Sequence, residues 1–515
     1  MVQPGPADSA PRSNERAPAL RYLPWLVAVA LFMENLDATI VNTAVPRMAA
    51  NLEVDPLSLK GVLTSYTISL GIFIPISGWL ADRFGTRRIF MLAIWTFLAG
   101  SLGCGLAPNV PALVAARILQ GIGGAMMTPV GRLALVRTFP RSEMLRTMNF
   151  VIIPALLGPL LGPVTGGFIV HVTSWRVIFF LNVPLALAGL WLTRKYMPDY
   201  RDPAVPRLDR VGFVLFCSGV ALLSHVLEVF GEHDHSGEPL TLMAIAAVIL
   251  LAAYGWHARR HPAPLLRLSM FRIRTFRVSV LGGFATRLGV GGMPFLLPLL
   301  YQVGLGYAPW QAGLLTMPQA MAAMAMKIIS RPLLRHFGHR TILMGNTVLL
   351  GLTIMSFVFI NEHTPVIGIL ALSFAQGLFS SLQFTSMNSL VYADVDDHDA
   401  SKAGSIASTS QQLSLSFGVA TGGLFAAWFV GDMTAIPTDQ IIRGLHHAVL
   451  ALGGMTIVSS LVFTRLRSND GNNISHHSPV PPPRGQLRVD SRAELGVEAV
   501  SPPASEAGAP RNLRD

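Results

Sequence analysis

The chain has 515 residues, 51% apolar and 13% charged, and 39 Lys and Arg against 28 Asp and Glu give a formal net charge of +11. Soluble domains carry about 25% charged residues, and a mean hydropathy of +0.50 leaves too little polar surface to face water. That excludes a soluble enzyme, a disordered protein and a secreted disulfide scaffold; Cys104 and Cys217 both lie in apolar runs and read as buried thiols.

A helix needs about 20 mostly apolar residues to cross about 30 Å of hydrocarbon, and an open chain in lipid satisfies its backbone only as helix. Residues 1–24 are Pro-rich and polar, with no short apolar core or A-x-A site, and are expected to be an unfolded cytoplasmic N-terminus rather than a signal peptide. Span 1, residues 25–46, carries Glu34 and Asp37, which an i, i+3 spacing puts on one helix face. Two carboxylates close together in low dielectric cannot both ionise easily, so the pair is a candidate for proton uptake and release. The competing reading is a permanent ion pair with a cation elsewhere in the bundle.

Span 2, 58–80, runs into the loop Gly78-Trp-Leu-Ala-Asp82-Arg83-Phe84-Gly85-Thr86-Arg87-Arg88. Span 3 covers 88–107, and span 4, 111–136, carries Arg117 early and Arg132 late. In span 5, 147–170, Gly158, Gly162 and Gly166 recur every fourth residue, with Gly167 beside them and Pro159 and Pro163 between. That smooth face lets another backbone approach closely, and each proline removes a ladder hydrogen bond. Span 6, 176–197, completes an N-terminal six-helix bundle, residues 25–197.

Spans 7 and 8, 210–230 and 239–256, fall in an inserted segment, 198–276. The C-terminal bundle, 277–465, holds spans at 278–303, 311–330, 341–360, 365–391, 404–430 and 444–464. Arg287 and Lys327 lie inside two of these and are candidate buried cations; Lys327 can also snorkel to the surface. Residues 466–515, with a PPP run and few large apolar residues, read as a disordered cytoplasmic tail.

The halves look related. Aligning Phe84-Gly85 on Phe337-Gly338 gives an offset of 253 residues, and Gln120-Gly121 on Gln376-Gly377 gives 256. Arg and Lys gather in alternate short loops, which places both termini in the cytoplasm; the acidic loop from Asp394 to Lys402 breaks the pattern. The basic groups form no continuous stripe, so nucleic acid is not expected as a partner. His233 and His235 around Asp234, the pairs His446-His447 and His476-His477, and His257 with His261 offer conceivable metal ligands, but no Cys or fixed second cluster supports one, and they read as solvated loop or tail residues. No GxxxxGK[ST] loop, nucleophile elbow or HExxH is present, so neither ATP-driven work nor catalysis is expected, and no cofactor.

At these residues the sequence resembles the major facilitator superfamily. It is most similar to the fourteen-helix drug:proton antiporter branch and, within it, to the MdtD-like multidrug efflux group. Leu36 to Pro46 is similar to that branch's first-helix motif, with Val45 where Leu is usual; Gly78–Arg88 resembles the superfamily's loop motif. Ala116-Arg117 through Gln120-Gly121 to Ala125, Gly158–Gly167, and Trp175 to Pro184 resemble the motifs of helices 4, 5 and 6. The resemblance implies an all-α integral membrane protein of major facilitator fold, with two six-helix bundles and two inserted helices. It implies Asp37 in proton coupling, Arg117 modulating it, and Asp82 with Arg87 and Arg88 as a latch between the halves. Arg335 stands at the second-half counterpart of Asp82, so the latch is not carried over there. The implied protein sits in the bacterial inner membrane among lipid and exchanges protons for a small amphipathic substrate; some relatives also use a periplasmic adaptor. A carrier of one metabolite, or a non-transporting sensor or scaffold, remains open.

Overall fold

The computed structural model describes residues 13–202, 204–229, 237–433 and 435–475. Among them there are thirteen helices long and apolar enough to cross a membrane. The longest, Pro309–Met355, breaks at Gly338 (φ 72°, ψ 162°) into two pieces, 309–337 and 339–355, so it holds two of the fourteen expected crossings. In chain order the crossing helices are α1 (Ser13–Ile40), α2 (Lys60–Phe84), α3 (Thr86–Leu106), α4 (Val110–Thr138), α5 (Arg141–Val172) and α6 (Asn182–Tyr196). Then come α7 (Arg210–Val229), α8 (Gly237–Arg260), α9 (Arg274–Val290), α10 (309–337) and α11 (339–355). The last are α12 (Val366–Leu390), α13 (Ala400–Val430) and α14 (Thr438–Phe463).

Local chemistry sets the ends. Asn109 caps α4, its side chain accepting from Ala112 N at 2.9 Å, with Pro111 in the first turn where its missing N–H costs nothing. Between α2 and α3, Gly85 takes φ 102°, a conformation that favours glycine, and any Cβ there would strike Asp199. Gly338, its counterpart under the 253-residue offset, also has positive φ. The repeat is therefore visible in the backbone at the anchor that suggested it.

In lipid the tails are as apolar as leucine, so helices associate through close packing and polar contacts rather than burial from water. One core lies wholly in the first half, with Leu26, Phe90, Phe97 and Met127 among its members. A second joins the halves at the face opposite the arginine-rich loops, where Met48 and Leu57 meet Phe295, Tyr301 and Ala426. Polar contacts close the same end. Gln302, beyond α9, donates to Thr43 O at 3.0 Å, Met433 N to Asp55 at 2.8 Å, and Ser416 of α13 to Thr64 O at 3.1 Å. At the arginine-rich face the ion pairs Asp82–Arg137 and Arg274–Asp470 each stay within one half. The halves thus meet at one end and are held separately at the other.

The inserted helices cover the seam between α2 and α13. Phe216 and Val220 of α7 and Tyr254 of α8 pack with Ile72, Val280 and Leu413. Thr64 of α2 also donates its hydroxyl to Glu228 at the end of α7.

Three expectations need correction. The N-terminus is not unfolded through residue 24, since α1 begins at Ser13. The tail does not begin at 466: Leu466 is buried, and Asp470 takes two hydrogen bonds from Arg274, at 3.0 and 2.5 Å. That pairing spans 196 residues, beyond the reach of local composition. His257 is no solvated loop residue; it lies in the last turn of α8 with Nε2 2.7 Å from Asp209, and His446 and His447 lie within α14, with His446 Nε2 2.9 Å from Ile360 O, while His233, His235, His476 and His477 fall outside the described residues.

Candidate functional site

The motif residues of α1, α4 and α6 converge on one carboxylate. Arg117 Nη1 donates to Asp37 Oδ2 at 2.6 Å, and Gln120 and Asn182 each donate to Asp37 Oδ1 at 2.8 Å. A second ring of contacts holds the donors. Arg117 also reaches Gln120 Oε1 (2.6 Å) and Val62 O (3.3 Å), and its guanidinium lies 4.2 Å from the Tyr66 ring centroid. Asn182 donates to Ser101, which donates to Phe179 O. Asp37 and Arg117 are each 1% exposed. A sealed pair of this kind survives in low dielectric because every strong donor has an acceptor; removing one partner strands a charge.

Glu34 stands one turn toward the arginine-rich face and is only half-buried. It accepts a hydrogen bond from Thr128 of α4 at 2.5 Å. An ionised carboxylate has about four acceptor positions, so a single hydroxyl leaves Glu34 with acceptor positions open, while the charge of Arg132, also on α4, acts on it from nearby. The two acids expected to act as a like pair therefore occupy different environments, one enclosed and saturated with donors, the other half-buried with one hydroxyl donor.

The glycine face of α5 lies where the spacing predicts, and against named backbone. Gly158 packs on Asn35 and Leu36, Gly162 on Thr39 and Ile40, and Gly166 on Ile40 and Thr43, all of the first crossing. Gly167 abuts Pro309 of α10, and Gly313 of α10 abuts Pro163, so α5 is wedged between the acid-bearing helix and the other half. Pro159 and Pro163 lie inside a helix that runs unbroken from Arg141 to Val172.

At the arginine-rich face Asp82 pairs with Arg137 of its own half at 2.7 Å. Arg87 Nε donates to Met197 O (2.5 Å) at the end of α6, and its backbone N–H to Asp199 (3.1 Å). Arg83 and Arg88 are exposed, and a Cβ on Gly78 would meet nothing. The expected bond from Asp82 to the second half is not made in this conformation. Lys327, expected as a candidate buried cation, is exposed, on a stretch with Ile328 and Ile329. Its four-carbon stem lets the ammonium leave the bundle. Arg287 is buried.

Thr128 was not singled out from the sequence; only its place across from Glu34 marks it. Gln120 and Asn182 were visible as motif members, but their shared acceptor was not.

Fourteen crossings in two repeated halves, with a charged network sealed inside one of them, define a multi-pass helical membrane protein of transporter architecture. The chain belongs to the Major Facilitator Superfamily, whose profile matches residues 27–418 and 279–493. It is 37% identical over 449 residues to a Serratia proteamaculans protein named for multidrug resistance, MdtD, covering 87% of this chain and 94% of that one. MdtD of Klebsiella pneumoniae subsp. pneumoniae is 38% identical over 457 residues, covering 88% and 96%. Among solved structures, a bacterial homologue of the human lysosomal transporter Spinster, inward-facing and unoccupied, superposes with a TM-score of 0.64 at 15% identity, covering 91% of this chain and all of that one. A D-xylose–proton symporter does so at 0.61 and 16% identity, covering 88% and 99%.

Proposed function

We propose that this protein exports amphipathic toxic compounds across the bacterial inner membrane in exchange for protons. The names of its relatives support a multidrug substrate range. The loop charges favour an arginine-rich face in the cytoplasm, with both termini there. In this orientation the described conformation is closed outside, and substrate enters from the cytoplasm or inner leaflet between the halves.

The observation that carries the reading is the stacking of two acids on α1, a half-buried Glu34 below a saturated Asp37. A proton arriving by way of Glu34 and settling on Asp37 cancels the charge that Arg117 neutralises. Gln120 and Asn182 then lose a charged acceptor, and the bonds tying α1 to α4 and α6 weaken together. Because α5 is wedged between α1 and α10, the change reaches the contact between halves. Asp82, released from Arg137, is available to the second half in the opposite state, where a helix N-terminus would favour it. The drive is the proton gradient, in which each charge crossing the potential yields about 2.3 kcal/mol per 100 mV.

The test is dye efflux in inverted vesicles under an imposed pH gradient. Asp37→Asn is expected to abolish gradient-driven flux in protein that still folds, and Glu34→Gln to lower it and shift its pH profile. The saturation of Asp37 favours one rival, a permanently structural pair. Under that rival Asp37→Asn lowers the yield of folded protein, while transport per folded molecule and its gradient dependence stay intact.

A further inference from the structure

Glu34 and Arg287 stand 253 residues apart, the same offset that aligns Phe84-Gly85 with Phe337-Gly338. They hold equivalent places on α1 and α9, the first helices of the two halves. Their partners lie on corresponding helices. Glu34 bonds Thr128 on α4, and Arg287 Nη2 reaches Asn388 Oδ1, at 3.5 Å, on α12, the counterpart of α4. Phe384, under the Arg287 guanidinium, stands at the counterpart of Thr128 under the 256-residue offset. An acid in one half thus stands where a base stands in the other.

Arg287 is held but not neutralised. Its side chain is 5% exposed and folds back along α9 over Gly283, where a Cβ would come within 2.8 Å of Nη1. The guanidinium lies over the Phe384 ring, 4.8 Å from the centroid. No carboxylate forms an ion pair with it among the described residues. Its one polar side-chain partner among the described residues is a neutral amide at the limit of hydrogen bonding, and that amide, Asn388, is exposed. A cation within a crossing helix costs several kcal/mol unless something answers its charge. A guanidinium stacked on a ring keeps its edge donors free, in the fork that matches an oxyanion.

We propose that Arg287 recognises an oxyanion on the transported molecule, and that the preferred substrate is a zwitterionic amphiphile with its anionic end on Arg287 and its cationic end on Glu34. This rests on the reading of the chain as a carrier that encloses substrate between its halves. It also accounts for exchange: a proton on Glu34 removes the charge that holds the cationic end, so proton and substrate compete for one carboxylate.

The experiment uses the full chain in proteoliposomes with an imposed pH gradient. The probes are norfloxacin, zwitterionic near neutral pH; its ethyl ester, which keeps the amine and lacks the carboxylate; and ethidium, a permanent cation. Wild type is expected to take norfloxacin with a KM at least tenfold below the ester's. Arg287→Gln should bring that preference close to one, and Arg287→Lys should restore part of it. Gly283→Ala, which pushes the guanidinium from its cradle without removing it, should erode the preference in the same direction. Each variant is compared at equal amounts of monodisperse protein, and a ratio between two substrates is insensitive to a general loss of fold. If ethidium moves with the gradient but wild type does not prefer the acid, or if Arg287→Gln keeps the preference, the oxyanion assignment is wrong while the carrier reading stands. If none of the three probes moves, both fail.

Discussion

The two halves share a backbone plan and differ in how their centres are wired. In the first half Asp37, Arg117, Gln120 and Asn182 form a closed set of charged hydrogen bonds. In the second, Val290 stands at the counterpart of Asp37 and Ser373 at that of Arg117, under the offsets of 253 and 256 residues. Gln376 keeps the place of Gln120, yet it is fully buried with neither amide atom hydrogen-bonded. One half thus retains the ionisable pair, and the other retains only a remnant of its polar frame plus the unneutralised Arg287. The asymmetry divides the labour proposed above, with the protonatable acids in the first half and recognition of the substrate's anionic end in the second.

The most forceful way to break the comparison is to remove the cation. Arg117→Ala leaves Asp37 charged, buried and short of its strongest partner, and should cost about 3–5 kcal/mol of stability. Thermal unfolding in detergent checks this. The double variant Asp37→Asn with Arg117→Gln should recover much of the loss, since it buries no net charge. If the single and double variants unfold at the same temperature, the pair is not what holds the first half together.

The contact between halves comes next. Gly313→Val puts a branched side chain against Pro163 O, which has no flexible end to move aside. Overpacking of this kind costs about 1–3 kcal/mol. The penalty falls on the state in which the outer ends touch, so the population should shift toward the opposite state. Distances between spin labels on the two halves, measured at the outer ends, should lengthen. An unchanged distance distribution would show that the α5–α10 contact does not gate the conformation.

Gln120→Leu and Gln376→Leu make a paired test at equivalent positions. A buried polar group without a partner costs about 1–3 kcal/mol. Gln376→Leu should therefore be neutral or raise the unfolding temperature, while Gln120→Leu should lower it by removing a donor to Asp37. Equal effects at both positions would erase the proposed difference between the halves.

How much of this was legible in the sequence follows from the range of the forces. The fourteen crossings and the glycine face of α5 depend on composition and spacing within one helix, and they stand where the residues placed them. The repeat was legible from two short anchors because Gly85 and Gly338 must both supply positive φ at the same turn. What escaped depends on contacts across the bundle. Nothing local distinguishes Thr128 from other hydroxyls in α4, or tells that Asp37 is enclosed while Glu34, three residues away, is not. The ordering of 466–475 likewise depends on Arg274, far back in the chain, and Lys327 and Arg287 looked alike until packing separated them.

The smallest effect is expected inside the inserted segment, at the arginine-rich end of its helix pair. Asp209 precedes α7 and accepts from Gly212 N at 2.8 Å and Leu265 N at 3.3 Å, with His257 Nε2 2.7 Å away. Burial alone would raise its pKa. The hydrogen bonds from Gly212, His257 and Leu265, with the charge of His257, outweigh burial and hold it below the ordinary carboxylate value. A lowered folded value means that Asp209 stabilises the insert's own packing above its unfolded pKa, about 3.9, and that this contribution fades as pH falls through the folded value. Asp209→Asn keeps an acceptor for Gly212 but loses the charge facing His257, and should cost about 1 kcal/mol or less, in the range of a helix cap. Thermal unfolding of wild type and variant should differ near pH 6 and converge toward pH 3. A difference that persists undiminished at pH 3 would place the role of Asp209 in shape rather than charge, and would make this cluster a polar contact that carries no electrostatic weight.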